Sequence, residues 1–575
     1  MLPIKNKYQK ALKFILIFIA LILCLLTLER YQILNHFLFL PSDNAYDAVI
    51  QAALLEHWFH VFVAHDSWSD VHYYYPYRDT IAQTDAYFLV GMAYWPFRAL
   101  NFNPFISAEL AGLLIKSIGF LSFYFLCRKI FKFEFYWALL GAVIFTLSNN
   151  MTIHSSRLEL DTVALAPLLS LLIWNSVCAL KQDKPYYFCI WGLLAGLLLG
   201  GWCMTCFYMA WFFLFFSLAF SLVFLLMLFA MPKTQFRKTK FTLQNIFLEH
   251  WGLIIFIVVC ALVFLSPFVF TFYPKTLETG VRSYAEISHS LTISGIFEVG
   301  DNNLLHALFN HFFYPSDRPL LPTDLHYREY YDTGLPLLLL LFFLAGCIKV
   351  LCCKKQLKLL SITAITTLIT WPLILNFEGH SAWFFVYSFI PGAQALRVIE
   401  AYQIFLAFPV IIIAIYFLSN LFNNPIFKSK NLKFLLLISI SAYLILEELN
   451  HPYLLLDRKT ELLRDQLPLQ PPKICQAFYV SGWKDQGKMS TMTGCSSASY
   501  AHNVTAIMLA QETHIPTVNG IASFNLPGWN FANPNRPDYD TRILAYAKRF
   551  HITKGLCRLD LNTKQWSIAK NFTLS

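Results

Sequence analysis

The sequence predicts an α-helical polytopic membrane protein of about 11 transmembrane helices with a small C-terminal α/β domain. Three observations carry this. Of the 575 residues, 57% are hydrophobic and 14% charged, against roughly 25% charged in soluble domains, and the mean hydropathy is +0.51. Apolar runs long enough to cross roughly 30 Å of hydrocarbon begin near Ala11, Phe105, Phe135, Thr162, Tyr187, Phe207, Trp251, Leu335, Leu357, Ala401 and Leu432. After about Glu448 that character is lost, and residues 473–575 alternate short strand-like and helix-like segments.

The first run follows Lys5, Lys7, Lys10 and Lys13 and continues into Glu29-Arg30 without a small-residue cleavage site. It therefore reads as a signal anchor with a cytoplasmic N-terminus. If each run crosses once, Arg128-Lys129-Ile130-Phe131-Lys132, Lys181 and Lys184, Lys233 to Lys240, Lys354-Lys355 and Lys428-Ser429-Lys430 all fall on the cytoplasmic side. The opposite side receives loops 29–104, 149–161, 274–334 and 378–400, and everything after about Glu448. The stretch Ala86 to Leu100 is apolar but short, carries Trp95-Pro96 and Arg98, and would invert every later cluster if it spanned. It is expected to lie along the outer interface. The net charge of +10 does not indicate nucleic acid, because the Lys and Arg sit in short clusters between apolar runs.

Residues 1–448 thus form a membrane module and 449–472, with Pro468, Pro471 and Pro472, a linker to a soluble domain over 473–575. In that domain Lys473 to Val480 and Gly555 to Leu561 read as strands, and Val504 to Glu512 and Thr541 to Phe550 as helices. Pro516-Thr517-Val518-Asn519-Gly520 reads as a turn. Most cysteines lie inside apolar runs, but Cys475, Cys495 and Cys557 do not. An oxidising compartment would not leave three free thiols. Cys475 and Cys557, in two strands that can neighbour each other, are the expected bridge; Cys475 with Cys495 is the alternative.

The candidate chemistry gathers on the outer side. Pro41-Ser42-Asp43-Asn44-Ala45-Tyr46-Asp47 opens a loop rich in acids and aromatics, including Tyr73-Tyr74-Tyr75-Pro76-Tyr77. A carboxylate just beyond a spanning helix stands where water meets lipid; the plainer reading is a solvated acidic loop. A second group runs His154-Ser155-Ser156-Arg157-Leu158-Glu159-Leu160-Asp161. Lys116 lies inside a span two helical turns after Glu109, on the same face. It is either a functional group or a cation that holds the bundle together. Glu278, Arg282, Glu286 and His289 form one polar stripe if helical, which an exposed charge ladder would also give. Arg397, at the end of the last outer loop, sits at the depth of a lipid phosphate.

Acids beside a lipid-level cation suit transfer of a group from a phosphate leaving group. One carboxylate takes the proton of the attacking hydroxyl. Cations at Lys116, Arg282 and Arg397, or a divalent metal such as Mg or Mn held by Asp43, Asp47 and Asp161, stabilise charge on the departing phosphate. Asp47, His154 and Glu286 complete the expected substrate contacts. No P-loop, nucleotide fingerprint or GxSxG is present, so ATP-driven work and serine hydrolysis have no support.

The anchor helix, the acidic motif Ser42-Asp43-Asn44-Ala45-Tyr46, the Tyr-Tyr-Pro-Tyr segment, Cys127-Arg128-Lys129 and the group ending in Asp161 together resemble the GT-C superfold. These are multi-span glycosyltransferases that use polyprenyl-phosphate sugars. Pro516-Thr517-Val518-Asn519-Gly520 and Gly555-Leu556-Cys557-Arg558-Leu559-Asp560 resemble an uncharacterised bacterial branch with a small outer domain. The resemblance covers nearly the whole chain in layout and only short motifs in residues. It implies that Asp43 matches the general base near the acceptor and Asp161 the second acid, near metal or acceptor. Arg397 would contact the lipid phosphate by position. Asn44 departs from the family's usual Asp-Glu pair.

The expected activity is inverting transfer of a hexosyl or pentosyl group from a polyprenyl-phosphate donor to a lipid-linked or cell-envelope glycan. The expected place is the periplasmic face of a bacterial inner membrane, with membrane lipid as a further partner. The rival readings are a transporter or flippase, which would show paired repeats and broken helices, and a non-catalytic envelope protein.

Overall fold

A computed structural model describes residues 2–42, 45–153, 157–229, 233–287, 291–300, 302–305, 332–352, 358–423, 429–466, 470–482, 498–521, 526–552 and 554–569. Each of the eleven apolar runs folds as helix, since backbone groups facing lipid have no water and must pair within their own segment. Seven are long and apolar enough to cross a membrane: Tyr8–Leu28, Pro104–Lys129, Leu158–Lys181, Pro185–Cys203, Phe207–Phe229, Phe247–Thr279 and Ile399–Phe422. Phe135–Leu147, Leu337–Cys352 and Leu359–Ile374 are apolar but shorter. Lys430–Glu448 carries charges at both ends, with Ser429 as its N-cap accepting from the Leu432 N–H at 3.3 Å.

Ile399–Phe422 is the most deeply buried of the seven and packs against Leu337–Cys352, Phe135–Leu147 and Phe207–Phe229. Phe247–Thr279 is the opposite case, with no residue of its most apolar stretch buried. It is held along one line: Gly192, Gly196 and Gly200 of Pro185–Cys203 recur every four residues and face its Ile257, Ala261 and Phe264. A Cβ on Gly200 would collide with the Phe264 carbonyl, so these backbones meet as small-residue stripes allow.

The two ends of the membrane module are fastened together. Phe39–Leu40 pairs antiparallel with Leu456–Asp457. Ser42 N–H donates to Tyr453 O at 2.7 Å, and Arg30 Nη2 to Asn450 O at 2.5 Å. The chain beyond its first long helix and the chain beyond Lys430–Glu448 therefore lie side by side. Helix Phe88–Ala99, inside the ambiguous 86–100 stretch, has 12 residues, about 18 Å of rise, short of the hydrocarbon thickness.

The expected 449–472 linker is instead woven into the fold. Asn450 is fully buried and donates to Asn149 Oδ1 at 2.5 Å and Val299 O at 2.7 Å. Helix Arg458–Asp465 follows, capped by Asp457, which accepts from the Lys459 and Thr460 N–H groups at 3.1 Å.

Beyond it, Ala477–Ser481 pairs parallel with Leu556–Asp560, which pairs antiparallel with Gln565–Ile568. Helices Ala498–Thr513 and Tyr539–Arg549 stand close to the expected positions. The strand Gln565–Ile568 was not expected. Cys475 and Cys557 are joined as a disulfide; Cys495 lies outside the described residues. The 516–520 stretch is not a free turn. Thr517 bridges Phe478, and the Val518 N–H donates to Phe478 O at 2.9 Å, so it adds an edge to the sheet.

That edge is where the outer loop docks. Thr517 N–H donates to His72 O, Tyr74 N–H to Asn519 O and Tyr75 N–H to Thr517 O, each at 3.0 Å. Tyr74 is fully buried, and a Cβ at Gly520 would sit 2.6 Å from its ring, so only glycine fits there. Tyr73-Tyr74-Tyr75-Pro76-Tyr77 is therefore the joint between membrane module and C-terminal sheet. Ala498–Thr513 packs directly on Ala45–Ala64. The C-terminal region shares its core with the outer loop.

Candidate functional site

Helix Ala45–Ala64 opens immediately after the first acidic motif. Asp43 and Asn44 lie outside the described residues, as does His154. The residues on either side are firmly held. Ser42 is bonded to Tyr453, as above. Asp47, in the first helical turn, accepts from Tyr500 Oη at 2.5 Å and from Arg157 Nη2 at 3.4 Å. One turn on, Gln51 Oε1 accepts from the Leu158 N–H at 2.9 Å. The two acidic groups of the sequence, 41–47 and 154–161, thus lean on each other, and the C-terminal helix supplies Tyr500 to the same carboxylate.

Below this contact stands Lys116, its Nζ 3.0 Å from Asp161 Oδ2, both side chains buried. Glu109, expected as a same-face neighbour, and Glu29 are near enough for their charges to act on Lys116. One ammonium therefore serves several carboxyls. Burial raises the affinity of Glu29 for a proton, against the opposing pull of Lys116. Asp161 Oδ1 is buried with no hydrogen-bond partner among the described residues. It is a buried acceptor that only a hydroxyl or a cation admitted into the core could meet. A second cation there would meet Lys116, at a cost of about 4 kcal/mol for unit charges 4 Å apart at a near-surface dielectric. This arrangement favours a hydroxyl, and Asp47 already faces a guanidinium.

Separate polar contacts stand between this point and Arg397. Tyr87 O–H donates to Glu159 Oε2 at 2.5 Å. Near it Asp85 accepts from the Phe207 N–H at 3.1 Å. Burial pushes the Asp85 carboxyl up to about 6, with that N–H pulling the other way. The next residue, Tyr208, accepts the Arg397 N–H at 2.5 Å and the Val398 N–H at 3.4 Å. Arg397 itself is exposed.

Arg282 is brought to the same loop as Arg397: its N–H donates to Gln394 O at 3.4 Å, and Tyr387 O–H donates to its carbonyl at 2.8 Å. The expected stripe with Glu278, Glu286 and His289 does not form. Gly280, with φ +86°, ends the long helix at Thr279, and Arg282 is not helical. Glu278 pairs with Lys275 at 2.8 Å. Glu286 is exposed and accepts from the Ser283 N–H at 3.0 Å, capping its own short helix; His289 lies outside the described residues.

The partners that sequence reasoning missed are Glu29, Gln51, Tyr87 and Tyr500. Glu29 had a signal, as an acid at a helix end. Tyr500 had none, standing 453 residues from Asp47.

No family model matches this chain, and no curated protein matches it. Among solved structures it is similar to the apo oligosaccharyltransferase of Archaeoglobus fulgidus, with a TM-score of 0.46 and 15% identity, over 94% of this chain and 69% of that one.

Proposed function

We propose that the chain is a GT-C-type membrane glycosyltransferase. It moves a sugar, with inversion, from a polyprenyl-phosphate donor to a lipid-linked or cell-envelope glycan. The observation that carries the reading is that residues 157–161 gather Asp47 on Arg157, Tyr87 on Glu159 and Lys116 on Asp161, while Tyr208, next to the Phe207 that Asp85 holds, carries Arg397. In this reading Asp43 takes the acceptor hydroxyl proton as its oxygen attacks the anomeric carbon. The bond to phosphate breaks, and polyprenyl phosphate leaves toward Arg397, with Arg282 on the same loop. Asp161, with Lys116 behind it, orients the acceptor hydroxyl, and His154 and Asp47 flank it. A divalent metal such as Mg or Mn is a further proposal, tested by chelation; no step here requires it. The chain crosses a bacterial inner membrane eleven times, N-terminus in the cytoplasm and residues 449–575 in the periplasm.

The test incubates purified protein with a panel of polyprenyl-phosphate sugars and an envelope glycan acceptor, and measures released polyprenyl phosphate. Asp43→Asn keeps shape but accepts no proton. It should lower the rate by roughly 10²–10⁴-fold in a protein that still inserts and binds donor lipid. Near-normal turnover in that variant removes the catalytic role. The second reading, a non-catalytic envelope protein, draws on the Lys116–Asp161 pair, which can serve bundle stability alone. It moves ahead if no donor releases its phosphate.

A further inference from the structure

At the other end of the helix that carries Asp47, a different set of side chains converges. His60 comes from Ala45–Ala64, Asp66 from the loop after it, and His514 from the residue following Ala498–Thr513. One ligand atom of each lies within 4.8 Å of the other two. Asp66 Oδ2 is 3.8 Å from His514 Nδ1, and the two imidazole centroids are 4.2 Å apart. His60 is 9% exposed. Its Nε2 faces Glu56 Oε2 at 3.9 Å, and Glu56 is itself held by Tyr94 and Arg98. His60 Nδ1 and Asp66 Oδ2 are buried with no hydrogen-bond partner among the described residues.

We propose that His60, Asp66 and His514 bind a divalent transition metal of the zinc type, clasping the C-terminal helix to the membrane module. Two imidazoles and one carboxylate are a borderline-soft donor set that suits zinc and disfavours magnesium or calcium, which take mostly oxygen. Tetrahedral ligands at 2.0–2.2 Å from a metal stand roughly 3.3–3.5 Å apart. The observed spread closes by about 1.3 Å if His514 swings inward, and its side chain is half exposed. Water takes the fourth position. Glu56 behind His60 is the carboxylate that orients a ligating imidazole and raises its basicity. The clasp stands beside the 72–75 docking strand, so it fixes the same joint from a second point. It is independent of the proposed glycosyl transfer.

The experiment uses the full chain in detergent, carried on a histidine-free tag, stripped with a chelator and then titrated with Co²⁺ or Zn²⁺. The expected result is one metal per chain by elemental analysis and the visible bands of four-coordinate Co²⁺. Zn²⁺ should also slow protease release of the C-terminal region. His514→Ala and Asp66→Asn should each weaken binding by more than about 100-fold, and Glu56→Gln by about 10–100-fold. His250→Ala, remote from the cluster, should change nothing. His514 is exposed enough that its loss leaves the apo protein's unfolding unchanged, which separates loss of the site from loss of the fold. No stoichiometric metal, or equal binding by wild type, His514→Ala and Asp66→Asn, overturns the proposal.

Discussion

Lys116 and Asp161 meet at 3.0 Å, from helices that begin more than fifty residues apart, with neither side chain open to water. Removing one partner from such a pair strands a buried charge, at a cost of about 3–5 kcal/mol, whereas replacing both with apolar groups is often neutral. Asp161→Leu alone should therefore lower the melting temperature sharply. Lys116→Met with Asp161→Leu should recover the share that belongs to the pair, less what Glu29 and Glu109 lose with the ammonium they share. If the pair takes part in transfer, the double variant is stable and inactive; a stable and active one makes the pair structural.

Tyr500 reaches Asp47 from the C-terminal helix. A hydrogen bond to a charged group contributes about 1.5–3 kcal/mol, so Tyr500→Phe should cost roughly 10–100-fold in turnover if Asp47 positions the acceptor. Stability should fall by a comparable amount at most, so turnover is compared at a temperature where both proteins stay folded. An unchanged rate for released polyprenyl phosphate would detach the C-terminal helix from the site.

His502 tests the C-terminal core. It is fully buried and lies edge-on to Tyr539 at 5.6 Å. Burial drives its affinity for a proton down to about 3. Unfolded, it titrates near 6.5, so the stability it contributes is complete above that value and is lost as pH falls toward 3. At pH 5 the loss is about 2 kcal/mol. Wild type should melt correspondingly earlier at pH 5 than at pH 7, and His502→Leu should show a smaller difference. Equal differences would assign the acid sensitivity to other groups.

The disulfide closes a loop of 82 residues, for which chain entropy gives an upper value of about 4.5 kcal/mol. Cys475→Ser should lower the stability of the C-terminal region by a few kcal/mol and speed its proteolysis. Peptide mapping that joined Cys495 to either partner would contradict the pairing seen here.

A reporter fused after Lys430 should be cytoplasmic and one after Leu455 external. The pairing of Phe39–Leu40 with Leu456–Asp457 adds a third requirement: a reporter inserted after Leu38 must share the side of the one after Leu455. Opposite sides for those two would be incompatible with the fold.

What the sequence disclosed follows from range. Long apolar runs declare helices by themselves, and all eleven are helical. Lys116 was visible as a charge inside such a run, and Glu109 as its same-face neighbour. Its direct partner Asp161 was not, because a contact between separate helices leaves no periodic trace. The stripe through Arg282 failed because one glycine turned left-handed before the pattern could continue. Thr517 and Val518 looked like turn residues because β-branched side chains beside Pro, Asn and Gly suit a turn or an edge, and only Phe478 decides between them.

Arg30 and Asn450 are 420 residues apart in the chain. A ribosome adding about 5–20 residues each second needs roughly 20–80 s to travel between them. Through that interval Phe39–Leu40 exists but its partner strand has not yet been made. Ser42, which opens onto the first acidic motif, likewise waits for Tyr453. Biogenesis of the site is therefore completed last, and a nascent chain stalled before Leu456 carries every spanning helix yet leaves that strand edge open to capture by another polypeptide.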